Sequence, residues 1–206
     1  MPPPPLDAKA VFLNVPYDEE FRNLYIAYVV GLCHLGLVPH LASEIPGGDR
    51  RLDRIFELIK RCRYSIHDLS RVEVSVTAAA APRFNMPLEL GMTITWANLK
   101  PARHTWFVWE AERYRLQRSA SDLNGTDPYV HNGTPEGVLR ELCNAFRRED
   151  SPSVQKMMET YRIIEGTFSV ILHKNGSANP YDRSVFMDLY YLSSLWANLS
   201  RVTKTT

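Results

Sequence analysis

Cysteine is scarce in this chain of 206 residues, and its charges nearly cancel. Cys33, Cys62 and Cys143 stand far apart with no CxxC pair, which excludes a disulfide framework and a paired-thiolate zinc site. An odd count with no secretion signal reads as reduced, mostly buried thiols in a cytoplasmic protein. Lys+Arg 24 against Asp+Glu 23 leaves a net charge of +1, so no whole-protein field draws the chain to nucleic acid or an anionic membrane. The apolar runs are short and interrupted, which excludes a membrane span. Residues 1–9 carry four consecutive prolines, Pro2 to Pro5, and no apolar core of a signal peptide; they read as a disordered Pro-rich lead. GxxxxGK[ST], a GxGxxG after the first strand, HExxH and GxSxG are all missing. This removes P-loop NTPases, ordinary dinucleotide-binding dehydrogenases, zincins and nucleophile-elbow hydrolases. No histidine has a second ligand at metal spacing except in His67-Asp68, and neighbours on a strand point to opposite faces. No metal site is expected.

What is present is 45% apolar residues, enough for a real core, arranged in a readable order. The run AVFLNV at 10–15 predicts a strand buried on both faces. Helical spacing over 21–35, with a stripe of Leu24, Ala27, Tyr28, Gly31, Leu32 and Leu35, ends at Gly36. A strand at 37–41 follows, then a helix capped by Asp49 with Leu52, Ile55, Phe56 and Ile59 inward, and a third strand at 64–69. Pro87 opens a helix over 88–96, and 104–109 is the fourth strand. This β-α-β-α-β-α-β order predicts an α/β, flavodoxin-like open parallel sheet with helices on both faces. Residues 112–131 read as a long surface loop with room for one short helix, and Thr134-Pro135 as the cap and first turn of a helix over 135–147. In the tail, Val154, Met157, Tyr161, Ile164, Phe168 and Ile171 form one apolar stripe. Val185, Leu189, Leu192, Trp196 and Leu199 form a second, making a C-terminal α-helical hairpin. Its faces need cover from the sheet domain or a second copy of the chain. The expected organisation is a lead at 1–9, an α/β domain at 10–150 and a helical extension at 151–206.

In such a sheet ligands bind outside the carboxyl ends of the strands. Asn14, Pro16, Tyr17 and Asp18 fall there after strand one, Ser43, Glu44, Gly47 and Gly48 after strand two, and His67, Asp68 and Ser70 closing strand three. Glu89 falls in the expected first turn of the next helix, where free N–H groups and the helix dipole favour an ionised carboxylate. A carboxylate at a crevice rim attacks or stabilises a developing sugar oxocarbenium ion in glycosidases. Each feature also has a structural reading. Glu89 satisfies a helix terminus by itself, Asp68 with Ser70 makes a strand-end turn, and Gly47-Gly48 makes a helix-capping turn.

Pro87-Leu88-Glu89-Leu90-Gly91-Met92 resembles the helix-start ELG motif of the nucleoside 2-deoxyribosyltransferases, whose Glu takes up the deoxyribosyl group. The first ~110 residues also resemble a bacterial TIR-like domain of the same flavodoxin-like topology, in which an equivalent Glu cleaves the nicotinamide–ribose bond of NAD. Arg83, Phe84 and Asn85 stand where the transferases carry an Asp, and Asn85-Met86-Pro87 where TIR proteins favour Trp-Cys. The resemblance implies N-glycosidic cleavage of NAD or a related nucleotide, with Glu89 and Asp68 catalytic. Asn14, Pro16, Tyr17, Asp18, Ser43, Glu44, Gly47, Gly48, His67, Ser70, Asn85 and Met86 would surround the substrate. NAD or another nucleotide is then the substrate, and no cofactor is required. The implied alternatives are base exchange of the deoxyribosyltransferase type and a non-catalytic nucleotide-sensing or protein-interaction module. The resemblance further implies a cytoplasmic homo-oligomer, assembled through the C-terminal helices, and a role in bacterial defence.

Overall fold

The computed structural model describes residues 4–44, 50–72, 83–146, 149 and 151–202. Five strands form one all-parallel sheet: β1 (Asp7–Asn14), β2 (Val38–His40), β3 (Cys62–Asp68), β4 (Thr105–Glu110) and β5 (Tyr129–Val130). Their order is β2-β1-β3-β4-β5, the flavodoxin-like order predicted from the sequence. The helices are α1 (Arg22–His34), α2 (Arg51–Arg61), α3 (Asn85–Leu99), α4 (Arg115–Ser119), α5 (Pro135–Phe146), α6 (Val154–Lys174) and α7 (Arg183–Val202). Among the described residues no helix is long and apolar enough to cross a membrane. The chain separates into two compact units, and the division crosses the sequence more than once. One unit comprises Met1–Pro16 and His40–Val130, the other Tyr17–Pro39 and His131–Thr206.

In the first unit the sheet is built from β formers in register. Phe12 lies opposite Ser65 and Asn14 opposite His67, while Ser65 and His67 lie opposite Trp106 and Val108. Period-two alternation therefore puts Phe12, Asn14, Ser65, His67, Trp106 and Val108 on one face, and Ile66 and Asp68 on the other. The first face is covered by α2 and α3, whose Ile55, Leu58, Ile59 and Trp96 join Ala10, Phe12 and Cys62 in one apolar cluster. The strand β5 lies inside the stretch read as surface loop. Two residues carry no periodicity, but Tyr129 lies opposite Trp109 and stacks on it with ring centroids 5.2 Å apart.

In the second unit α1 contacts α5, α6 and α7. Every residue from Leu24 to His34 is buried, rather than the single stripe the spacing predicts. The helix is apolar on all sides, as a helix at the centre of a bundle must be. The α1 end is a Schellman motif: Gly36 adopts φ +73°, its N–H donates to the Cys33 carbonyl, and Leu37 N–H donates to the Leu32 carbonyl. The α6 stripe is buried from Met157 to Ile171 as predicted. On α7 the buried row is instead Val185, Phe186, Leu189, Ser193 and Ala197, with Leu199 half exposed. A 3.6-residue helix drifts off a strict seven-residue repeat, so the i, i+4 row turns inward. Both hairpin helices thus contact α1 of their own chain.

Thr134 caps α5 as expected, its Oγ1 accepting the Gly137 N–H at 3.0 Å. A Cβ on Gly137 would stand 1.9 Å from the His131 carbonyl oxygen. Backbone cannot yield as a side-chain tip can, so Gly137→Ala is expected to cost about 1–3 kcal/mol, read as a lower urea midpoint at unchanged slope.

Candidate active site

The carboxyl ends of β1 and β3 are joined to the start of α3 by one buried amide. Asn14, only 4% exposed, donates from Nδ2 to the Met86 carbonyl at 3.0 Å and lies 2.9 Å from His67 Nδ1. His67 Nε2 is 3.0 Å from Ser65 Oγ, Ser65 Oγ is 3.0 Å from His104 Nε2, and His104 Nδ1 is 2.9 Å from the Cys62 carbonyl. One assignment of protons satisfies every member. A carbonyl only accepts, so His104 Nδ1 carries hydrogen; Ser65 then donates to His104, His67 Nε2–H to Ser65, and Asn14 to His67. Burial, then the neighbouring His104, pushes His67 down to about 3, so the chain is neutral.

Asn14 thereby holds α3 at the β1/β3 switch point, and α3 carries Glu89. The helix begins at Asn85 rather than at Pro87, which puts Glu89 in the second turn instead of the first. The expectation of a carboxylate ionised by free N–H groups is therefore corrected: those groups lie a turn earlier. Glu89 is 4% exposed, and burial raises its pKa to about 7 against the opposing pull of the Arg51 guanidinium and a hydrogen bond from Asn85. The same side of α3 carries Thr93 and Trp96 further along. Thr93 Oγ1 and Trp96 Nε1 are buried and find no hydrogen-bond partner among the described residues.

The other expected site residues divide. Asn14, His67, Asn85 and Met86 come together around the start of α3, although Asn14, His67 and the Met86 carbonyl serve to position it. Asp68 does not join Glu89. It lies on the opposite sheet face from His67, where its Oδ1 accepts the Ser70 N–H at 3.0 Å, the strand-end turn of the structural reading. The Ser70 carbonyl accepts from Arg115, so Ser70 is held by its backbone. Pro16 is buried behind the end of β1. Tyr17 and Asp18 belong to the second unit: Tyr17 stacks on Tyr181 at 4.6 Å, and the Asp18 carbonyl accepts from Tyr181 Oη at 2.7 Å. Asp18 also caps a 3-10 turn by accepting the Phe21 N–H at 2.9 Å. Glu44 accepts from the Leu41 N–H and sits 3.3 Å from His40 Nδ1. Ser43 Oγ is buried without a partner among the described residues. Gly47 and Gly48 lie outside the described residues, as does the Asp49 cap.

Arg51 and the Ser65–His104 pair were not expected at the site. Arg51 opens α2, and only packing of α2 beside α3 brings its charge to bear on Glu89. The thiols agree with expectation at two positions: Cys33 and Cys62 are buried, and burial pushes each up to about 12.

Comparison of the chain with protein-family models, curated proteins and solved structures finds no match. Fold and site therefore define the class: an α/β protein of flavodoxin-like strand order with a buried, half-ionising carboxyl group beside its switch point.

Proposed function

We propose that the sheet unit cleaves the N-glycosidic bond of NAD or a related nucleotide, with Glu89 as the working carboxylate. The observation that carries this reading is Glu89 itself, an acid buried at the crevice end of a parallel sheet with its pKa raised to about 7. Functional carboxyl groups are tuned in this way, and a site at the β1/β3 switch point is where this strand order takes its ligands. A cationic nicotinamide ring near Glu89 would favour its ionised form. The C–N bond then breaks with its electron pair leaving on nicotinamide, and the ribosyl cation is stabilised by the carboxylate. Water adds to the anomeric carbon and releases a proton. Arg51, whose charge acts on Glu89, would hold a phosphate, as a guanidinium suits it.

Chromatography of wild type and Glu89→Gln, each incubated with NAD and separately with deoxynucleosides plus a free base, tests the proposal. Nicotinamide release by wild type alone is the expected result. Exchange of bases would assign the deoxyribosyltransferase reaction instead. Nucleotide binding by calorimetry without turnover in either protein would leave a binding module.

A further inference from the structure

A cleft of about 280 Å³ lies along α3. Pro87, Gly91 and Ile94 form one wall at i, i+4 and i+7, so they share a side of the helix roughly opposite that of Glu89 and Thr93. Leu69, Val72 and Leu90 line it as well, and Arg115, Ala120 and Leu123 line it from α4 and the turn that follows.

Three observations specify what fits. A cavity of roughly 150 Å³ accommodates benzene, so this one has room for two fused rings. A Cβ built on Gly91 meets nothing within 4 Å, although Gly costs about 1 kcal/mol in a helix interior. Gly91 and the Pro87 ring one turn before it leave a low strip of helix against which a flat molecule can lie. The Arg115 guanidinium donates to the Ser70 carbonyl and stands 3.8 Å from the Glu110 carboxylate, which is 1% exposed. Its charge is balanced within the protein, and the remaining lining is apolar among the described residues. We infer that the cleft is a binding site for a neutral, planar, two-ring aromatic molecule. It is separate from the site around Glu89 and does not depend on the function proposed there.

Indole is a suitable probe, with indole-3-carboxylate as its charged counterpart, titrated into the full chain by calorimetry and by thermal unfolding. Indole is expected to bind saturably and raise Tm, while the carboxylate binds at least ~10-fold more weakly because nothing compensates its desolvation. Gly91→Leu is expected to fill the cleft, to match or exceed the parent Tm without ligand, and to lose indole binding. Ala120→Leu fills it from the turn after α4 and serves if Gly91→Leu does not fold. Glu89→Gln is expected to bind indole as the parent does. Absence of saturable binding, equal binding of the carboxylate, binding that survives a folded cleft-filling variant, or binding lost in Glu89→Gln would each overturn the assignment.

Discussion

Glu89→Gln is expected to lose the proposed NAD cleavage by about 10³-fold or more and, above pH 7, to be more stable than its parent. The stability effect follows from the raised pKa alone. An acid whose pKa rises from 4.5 unfolded to about 7 folded holds its proton more tightly in the native state. Its favourable contribution is complete below pH 4.5 and is lost as pH rises through 7. At about 1.4 kcal/mol per tenfold change in proton affinity, ionising Glu89 in place costs about 3 kcal/mol. Gln cannot ionise, so the variant avoids that loss. If the carboxylate form does the chemistry, kcat/KM rises with pH up to about 7 and levels above it, while stability falls over the same interval. Chemical denaturation of both proteins at pH 5.5 and 8.5 checks the stability arm. Equal pH dependence in parent and variant would show that Glu89 is not buried as described.

Asn14→Ala is expected to cost about 3 kcal/mol or more. It strands two buried acceptors, His67 Nδ1 and the Met86 carbonyl, and each unsatisfied group costs about 1–3 kcal/mol. The loss should exceed that of Asn14→Asp at low pH, where a protonated carboxyl can still donate one hydrogen bond. Buried imidazoles, two of them in this network, set the acid limit. His67 is pushed down to about 3 and His34, buried against Thr160, to about 4; His104 is lowered as well, in each case chiefly by burial. The unfolded imidazoles take up protons near 6.5 and the native ones only further down, so their contribution is present above pH 6.5 and lost as pH falls. His67 and His34 alone remove about 4 kcal/mol by pH 5. Glu89 acts in the opposite sense with a single proton. Above about pH 6.5 the two senses nearly cancel, so the parent is expected to lose stability below about pH 6 and to stay nearly level above it, while Glu89→Gln gains about 2 kcal/mol more than the parent between pH 5.5 and 8.5. Urea midpoints across pH 4.5 to 8.5 in both proteins read the two senses, and a parent that gains as much stability with pH as Glu89→Gln would contradict them.

The candidate site was legible where chemistry and chain order coincide. Glu89, Asn14 and His67 were marked by their places after or at the ends of strands, and the strand order puts them at one crevice. The role of each was less legible. His67 and Asn14 look like ligand contacts in the sequence, yet they are consumed in a closed hydrogen-bond chain. Ser65 and His104 complete that chain from a strand interior and a strand entry, places where no motif points. Asp68 was marked as catalytic by its place at the end of strand three, but strand alternation sends it to the face opposite His67. Tyr17 stacks on Tyr181, a residue 164 positions away, and no spacing rule could have paired them.

Local rules determined most of the elements. Apolar runs set β1 and β3, Gly36 stopped α1, Thr134 and Ser153 capped α5 and α6, and the α6 stripe was visible in its 3-4 spacing. These depend on neighbours a few residues apart, which a sequence displays directly. Tertiary structure decided what depends on distant partners: the pairing of β5, the face that α7 turns inward, and the grouping of α1 with the last three helices rather than with β1 before it. It also decided the protonation of Glu89. A helix start in sequence favours an ionised carboxylate, but desolvation by surrounding side chains is a property of packing, and here it outweighs both Arg51 and Asn85.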